Sequence, residues 1–156
     1  PDENVLAMVL AHEIAHAQHR HPIASLGRGI TLGAAVSLLS VAAGGRIAES
    51  VLGPSGMLTL LSFSRAQEEE ADATGVVALA RVYGHAGGAT QTFEVLQNAS
   101  RESGRAEPPK FLSTHPVTAE RIARLAGIIA KSGWKNDGER QAVPDAVGNA
   151  LQKDAK

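Results

Sequence analysis

The chain has 156 residues, of which 44% are hydrophobic, 20% are charged and 3% are aromatic. These values are typical of one soluble globular domain whose core is mostly aliphatic. The 15 basic and 16 acidic residues give a formal net charge of −1 without a basic stripe, so we expect no nucleic-acid partner. Because there is no cysteine, any metal must be held by histidine or carboxylate side chains.

The first predicted element is a helix that runs from Asp2 to about Arg20. Asp2 can cap this helix, and Glu3 places negative charge in its first turn. The helix carries the motif HEIAH at residues 12–16. Because helical residues four positions apart lie one above the other, about 6 Å along the axis, the two histidines of the motif can point at one metal ion.

This HEIAH motif predicts a zinc site. Zinc accepts histidine nitrogens at about 2.0–2.1 Å and prefers tetrahedral geometry. Glu13 lies about 100° round the helix from His12, so it can flank the metal and act on its bound water. The alternative is a helix that merely contains these residues. We favour zinc because His12 and His16 continue an apolar stripe, where buried imidazoles need partners. His19 is too far along the axis to share the metal, and we expect His21 to be structural.

Residues 23–63 form an apolar segment. The runs 29–45 and 50–64 carry no charge, and the sequence GPSG at 53–56 predicts a turn between them. We therefore expect a helical hairpin, in which each uncharged run is shorter than the roughly 20 residues needed to span a bilayer. The hairpin is either an anchor for a membrane or partner, or a buried helical pair of the core.

An acidic helix is predicted from Ser64 to about Val82, with Gln67 completing a capping box. Glu68 and Asp72 share one face of this helix. One of these carboxylates can bind zinc while the other orients a ligand histidine. The alternative is a solvated acidic patch, which the helix dipole favours at this end.

The rest of the chain is also predicted to be helical or irregular. A third helix spans roughly residues 89–102, and a fourth runs to Gly133 with Pro116 in its first turn. The polar residues 134–156 are expected to form a loosely packed tail, with a short helix near 143–151. No strand pattern is convincing, so the predicted fold is mainly α.

Three sequence blocks follow one another in an order that resembles a known family. They are VLAHEIAH at 9–16 with RH at 20–21, FSR at 63–65 with Glu68 and EAD at 70–72, and STHP at 113–116 with ERI at 120–122. Over residues 5 to about 130, the chain resembles the HtpX-, BepA- and Ste-type zinc endopeptidases of the gluzincin class.

The resemblance implies which residues form the site. It implies one zinc ion per chain, bound by His12, His16 and Glu68, with Glu13 as the catalytic glutamate. It further implies that Asp72 supports the site through a ligand histidine.

The resemblance also implies an architecture and a setting. It implies a zincin-like helical core at residues 1–133, in which residues 23–63 are an apolar insertion that contacts a membrane peripherally. Many bacterial relatives degrade misfolded proteins of the cell envelope, so we expect protein substrates and a periplasmic or membrane-associated location. Nothing in the sequence indicates an oligomeric state.

One departure from the family concerns the start of the catalytic domain. The family's domain normally begins upstream of the zinc helix, with a helix and a small β-sheet, and nothing in this sequence corresponds to them. Extended peptides commonly bind by adding a strand to a sheet edge. We therefore expect this chain to be an incomplete catalytic domain and a poor enzyme by itself.

The expected reaction is metal-assisted hydrolysis of a peptide bond, in which Glu13 takes a proton from water and passes it to the leaving nitrogen. His115, Arg121 and Tyr83 are candidates to stabilise the oxyanion. We favour His115, although a role in capping a helix is equally compatible with its position. If His115 is instead a fourth ligand, the site is closed, and the chain is a latent or chaperone-like zinc module.

Overall fold

The computed structural model describes residues 2–42, 62–102 and 110–145. All regular secondary structure in these ranges is helical: α1 (Glu3–Gln18), α2 (His21–Ala42), α3 (Arg65–Tyr83), α4 (Gln91–Glu102), α5 (Lys110–Thr114) and α6 (Ala119–Ser132). The absence of strands from the described ranges confirms that the chain is mainly α.

Helix α1 is capped as the sequence predicts, but it ends earlier. The side chain of Asp2 accepts a hydrogen bond from the Val5 backbone N–H at 3.0 Å. The helix ends at Gln18, because Arg20 adopts a left-handed conformation with φ of 57° and turns the chain. Helix α2 therefore begins at His21, immediately after this turn.

Helix α3 has the predicted capping box. The Ser64 side chain accepts from the Gln67 backbone N–H, and the Gln67 side chain accepts from the Ser64 backbone N–H. Gly84, with φ of 74°, ends the helix. Midway along α3, a Cβ atom added to Gly75 would lie only 3.3 Å from the His12 backbone nitrogen, so glycine lets α1 and α3 approach closely.

The core lies where α1, α3, α4 and α6 meet. Its members are aliphatic apart from one phenylalanine: Met8, Val76, Leu79, Ala86, Ala89, Phe93, Leu125 and Ile129. Helix α6 begins at Ala119 with Thr118 as its N-cap, so Pro116 precedes the helix and does not lie in its first turn. Thr118 caps the start of α6, because its hydroxyl accepts a hydrogen bond from the Arg121 backbone N–H.

Residues 134–145 pack against the start of α1. The Glu3 backbone N–H donates to the Gln141 carbonyl at 2.8 Å, and the Gln141 backbone N–H donates to the Asn4 side chain at 3.0 Å. Residues 134–145 are therefore not loosely packed. They have few apolar side chains, but hydrogen bonds from their backbone hold them to the start of α1. The expected helix at 143–151 lies mostly outside the described residues.

Helix α2 is longer than the apolar runs suggest. It has 22 residues, or about 33 Å, and is long and apolar enough by length and composition to cross a membrane. The charge of Arg28 does not interrupt it, because its guanidinium donates to Ser25 and Gln67. The expectation that each apolar arm is too short to span a bilayer is therefore wrong for α2. The second arm of the expected hairpin falls in residues 43–61, outside the described ranges.

Candidate metal centre

Four buried side chains from separate parts of the chain converge at one point. His12 and His16 extend from α1, Glu68 from the first turn of α3, and His115 from the segment that follows α5. One nitrogen or oxygen atom from each of them lies within 4.8 Å of the others. The sequence predicts the first three as zinc ligands, and the structure brings all three together with His115.

The spacing of these atoms fits a tetrahedral metal. His12 Nε2 lies 3.0 Å from His16 Nε2 and 3.3 Å from His115 Nδ1. His16 Nε2 lies 3.4 Å from Glu68 Oε1. Two ligand atoms bound to tetrahedral zinc at about 2.0–2.1 Å would lie about 3.3 Å apart. Imidazole nitrogens with a carboxylate oxygen are also a ligand set that zinc accepts.

The carboxylate of Glu68 is only partly satisfied by protein groups. Its Oε1 atom lies 2.9 Å from His115 Nδ1. Its buried Oε2 atom lies 2.7 Å from Arg121 Nη1 and 3.5 Å from His12 Nε2, but it accepts no hydrogen bond from the residues that the structure describes. A buried carboxylate oxygen without such a bond is costly, and a cation at the centre of the cluster would offset that cost.

Asp72 holds the ring of His12. Asp72 Oδ1 lies 2.9 Å from His12 Nδ1, on the opposite side of the ring from the cluster. Arg121 donates to Asp72 twice, from Nε to Oδ2 and from Nη2 to Oδ1, at 2.8 Å each. This arrangement keeps a proton on His12 Nδ1, so Nε2 is the nitrogen that can bind a metal once it has lost its own proton. Asp72 therefore lies where the resemblance implies.

The two other electrophile candidates have partners of their own. The buried guanidinium of Arg121 binds Asp72 and also donates to the Pro116 carbonyl at 2.8 Å. The hydroxyl of Tyr83 donates to Glu3 Oε1 at 2.8 Å, at the start of α1. Burial and the Glu3 carboxylate raise the pKa of Tyr83 to about 12. Of the three candidates, His115 is the one that belongs to the cluster.

Glu13 lies beside the cluster without belonging to it. Its side chain is 43% exposed, and its Oε1 atom lies 3.5 Å from His115 Nε2. This exposure separates it from the buried ligand candidates on the same helix. A carboxylate in this position can reach water and substrate.

The pKa values of the two histidines of α1 are shifted in opposite directions. Burial disfavours the charged form of His12, but the carboxylates of Asp72 and Glu68 raise its pKa to about 9. Burial and the nearby charge of His12 lower the pKa of His16 to about 3. Burial alone would raise the pKa of Glu68, but His115, His12 and the charge of Arg121 lower it to about 2. His16 and Glu68 are thus in the states that a metal requires, whereas His12 must release one proton when a metal binds.

Sequence reasoning missed the role of His21 and Glu70. His21 Nδ1 lies 3.0 Å from His16 Nδ1, and His21 Nε2 lies 3.0 Å from Glu70 Oε2. His19 is the C-cap of α1, and its Nε2 lies 2.9 Å from Thr74 Oγ1. The contact depends on the short turn at Arg20, which folds His21 back onto α1, and a non-glycine residue in the sequence does not mark such a turn.

A narrow cavity opens beside the cluster. His12 and His115 line one side of it. The rest of the lining includes apolar side chains from α1, α4 and the segment before α6: Met8, Val9, Phe93, Leu96 and Val117. The cavity therefore offers an apolar subsite next to the candidate metal ligands.

Sequence comparisons with known proteins find relatives over most of this chain. The model of a family described as peptidase family M48 matches residues 1–129. The chain is 31% identical to the protease HtpX homolog of Desulfatibacillum aliphaticivorans, over 93% of this chain and 57% of that protein. It is 35% identical to the beta-barrel assembly-enhancing protease of Escherichia coli, over 78% of this chain and 26% of that protein.

A eukaryotic relative has a similar level of identity. The mitochondrial metalloendopeptidase OMA1 of Schizosaccharomyces pombe is 31% identical over 86% of this chain and 39% of its own length. The chain thus spans between 26% and 57% of the length of these three relatives.

Proposed function

Because the chain belongs to peptidase family M48, we propose that it is the catalytic part of a zinc-dependent endopeptidase that hydrolyses peptide bonds of protein substrates. The observation that carries this proposal is the convergence of His12, His16 and Glu68 within 4.8 Å, with the exposed carboxylate of Glu13 beside them. Sites that only stabilise a fold need no such base.

The mechanism assigns each residue a task. His12, His16 and Glu68 would hold the zinc ion, which would polarise the scissile carbonyl and lower the pKa of water. Glu13 accepts a proton from the attacking water and delivers it to the leaving nitrogen. Asp72 fixes the tautomer of His12 and is itself held by the double hydrogen bond from Arg121.

His115 supports two different functions. Its Nδ1 atom lies among the ligand atoms, 2.9 Å from Glu68 Oε1, which favours a closed site and a latent or chaperone-like zinc module. Its Nε2 atom faces Glu13 at 3.5 Å, on the side open to solvent, where it could instead stabilise an oxyanion. We propose the active peptidase as the main function, with His115 as the residue that decides between the two.

The proposed setting is the bacterial cell envelope, with misfolded or membrane-associated proteins as substrates. Two observations support it. The name of the Escherichia coli relative refers to β-barrel assembly, and α2 carries exposed apolar side chains, among them Ile23 at 70% and Val41 at 85%.

A casein-cleavage assay tests the function. The wild-type chain with one equivalent of zinc should release peptides slowly, and chelation should stop the release. Glu13→Gln should keep the zinc but lower turnover by about 10²–10⁴-fold, because the amide cannot accept the proton. Wild-type cleavage that survives chelation, or equal turnover of wild type and Glu13→Gln, contradicts the proposal.

The same assay with His115→Ala separates the two roles. Loss of an oxyanion donor should lower turnover by about 10²–10³-fold, whereas loss of a blocking ligand should raise it. An increase would establish the latent module as the resting state of the chain.

A further inference from the structure

The turn between α1 and α2 brings a fourth buried histidine, His21, next to the candidate metal centre. His21 is 3% exposed, and its Nδ1 atom lies 3.0 Å from the Nδ1 atom of His16. On its other side, His21 Nε2 lies 3.0 Å from Glu70 Oε2. A chain of three side chains therefore leads from His16 through His21 to Glu70, outside the ligand cluster.

We infer that His21 and Glu70 are positioning residues that fix the tautomer and ring orientation of His16 for zinc binding. This inference rests on the proposed function, because it takes His16 as a zinc ligand. It assigns a role to His21, which follows the HEIAH helix, and to Glu70 of α3. Neither the HEIAH motif nor the ligand cluster accounts for these two residues.

The positions of the hydrogen atoms on His16 and His21 follow from one requirement. His16 can bind a metal through Nε2 only if its ring is neutral and its proton is on Nδ1. That N–H then donates to His21 Nδ1, which must be unprotonated. The proton of His21 is accordingly on Nε2 and is donated to Glu70, which as a carboxylate can only accept.

The arrangement parallels the one on the other ligand histidine. His12 Nδ1 is held directly by Asp72 at 2.9 Å, whereas His16 Nδ1 is held by Glu70 through His21. Both carboxylates lie on α3, so one helix supplies a ligand and the outer support for both ligands of α1. Phe63 packs on the His16 ring with centroids 3.9 Å apart and further limits its rotation.

The test is zinc affinity, measured on the whole chain by competition between zinc and a fluorescent chelating indicator. His21→Ala should bind zinc about 10–100-fold more weakly than the wild type, as is typical for loss of an outer hydrogen-bond partner. His21→Asn should recover part of this loss, because its amide oxygen can accept from His16. Glu70→Ala should weaken binding as well, although by less, since Glu70 is half exposed.

A control variant changes a neighbouring carboxylate whose partner lies outside the His21–Glu70 pair. Glu69→Ala removes the adjacent carboxylate of α3, which pairs with Arg124. It should bind zinc within about 2–3-fold of the wild type, since such a surface ion pair contributes little. If His21→Ala also binds within this range, the inference is wrong.

A spectroscopic measurement gives a readout that a purely structural role would not produce. In the zinc-bound wild type, with ¹⁵N-labelled histidine, a scalar coupling between His16 Nδ1 and His21 Nδ1 should be detectable across the hydrogen bond. Absence of the coupling, or a proton on His21 Nδ1, overturns the inference even if His21→Ala fails to fold. A wild-type chain that binds no zinc overturns both the inference and the proposed function.

Discussion

At the scale of single residues, neighbouring carboxylates of α3 have different environments. The side chain of Glu68 is 3% exposed and lies among the ligand atoms, whereas that of Glu69 is 34% exposed and pairs with Arg124. Adjacent helical residues point about 100° apart. The spacing from Glu68 to Asp72 was therefore sufficient to predict which carboxylates face His12.

This difference gives the first residue-scale prediction. Glu68→Gln should lower zinc affinity by at least about 100-fold, beyond the range of outer partners, because it removes an anionic ligand. Glu69→Gln should leave the affinity unchanged. Isothermal titration of the metal-free chains with zinc measures both, and equal affinities would refute the assignment of Glu68.

Other residues could not be assigned from sequence. His21 lies against His16 because Arg20 takes a left-handed conformation, and a non-glycine residue gives no reliable sign of that. The double hydrogen bond from Arg121 to Asp72 joins residues 49 positions apart, so spacing could not predict it. Helical spacing predicted that His12 pairs with His16 and Glu68 with Asp72, and the resemblance implied which carboxylate is the ligand and which the support. The contacts of Arg121, His21 and Glu70 depend on tertiary packing.

At the scale of elements, the centre depends on how closely α1 lies on α3. Gly75 faces the backbone of His12, where an added Cβ would lie 3.3 Å from the nitrogen and 3.2 Å from Met8 Cε. The Met8 side chain can move, but the backbone of His12 can move only with α1. The helices α1 and α3 were predictable, because capping residues and Gly84 mark their ends. The distance between the two helices was not predictable from the sequence.

The element-scale prediction compares two helical glycines. A Cβ on Gly127 of α6 meets nothing within 4 Å, unlike a Cβ on Gly75. Alanine gains about 1 kcal/mol of helix propensity at either position, but overpacking costs about 1–3 kcal/mol at Gly75. Gly75→Ala should therefore be about 1–3 kcal/mol less stable than Gly127→Ala in urea unfolding, and only Gly75→Ala should weaken zinc binding. Equal unfolding free energies would show that α1 and α3 can separate freely.

At the scale of the whole molecule, α2 differs from the helices around the centre. Helices α1 and α3, which carry three of the candidate ligands, bury the faces that meet each other, whereas α2 exposes Leu38 at 74% and Leu39 at 62%. The sequence predicts two short apolar arms. The structure has one helix of 22 residues in place of the first arm, and Arg28, whose guanidinium donates to the neutral side chains of Ser25 and Gln67, does not end it.

The whole-molecule prediction concerns membrane contact. The wild-type chain should float with vesicles of phosphatidylethanolamine and phosphatidylglycerol, because burial of apolar surface in lipid is favourable. Replacing Leu38 and Leu39 together by glutamate should abolish flotation. Val82→Glu, at an equally exposed valine of α3, should float like the wild type. Flotation of the double variant would exclude α2 as the contact.

The central claim is that side chains from α1 and α3 meet at one zinc ion. The most direct measurement is an anomalous difference map, recorded at the zinc absorption edge from crystals of the wild-type chain grown with zinc. We predict one peak per chain, about 2.0–2.1 Å from His12 Nε2, His16 Nε2 and a carboxylate oxygen of Glu68. A peak bound by other residues, or no peak between α1 and α3, would contradict the claim.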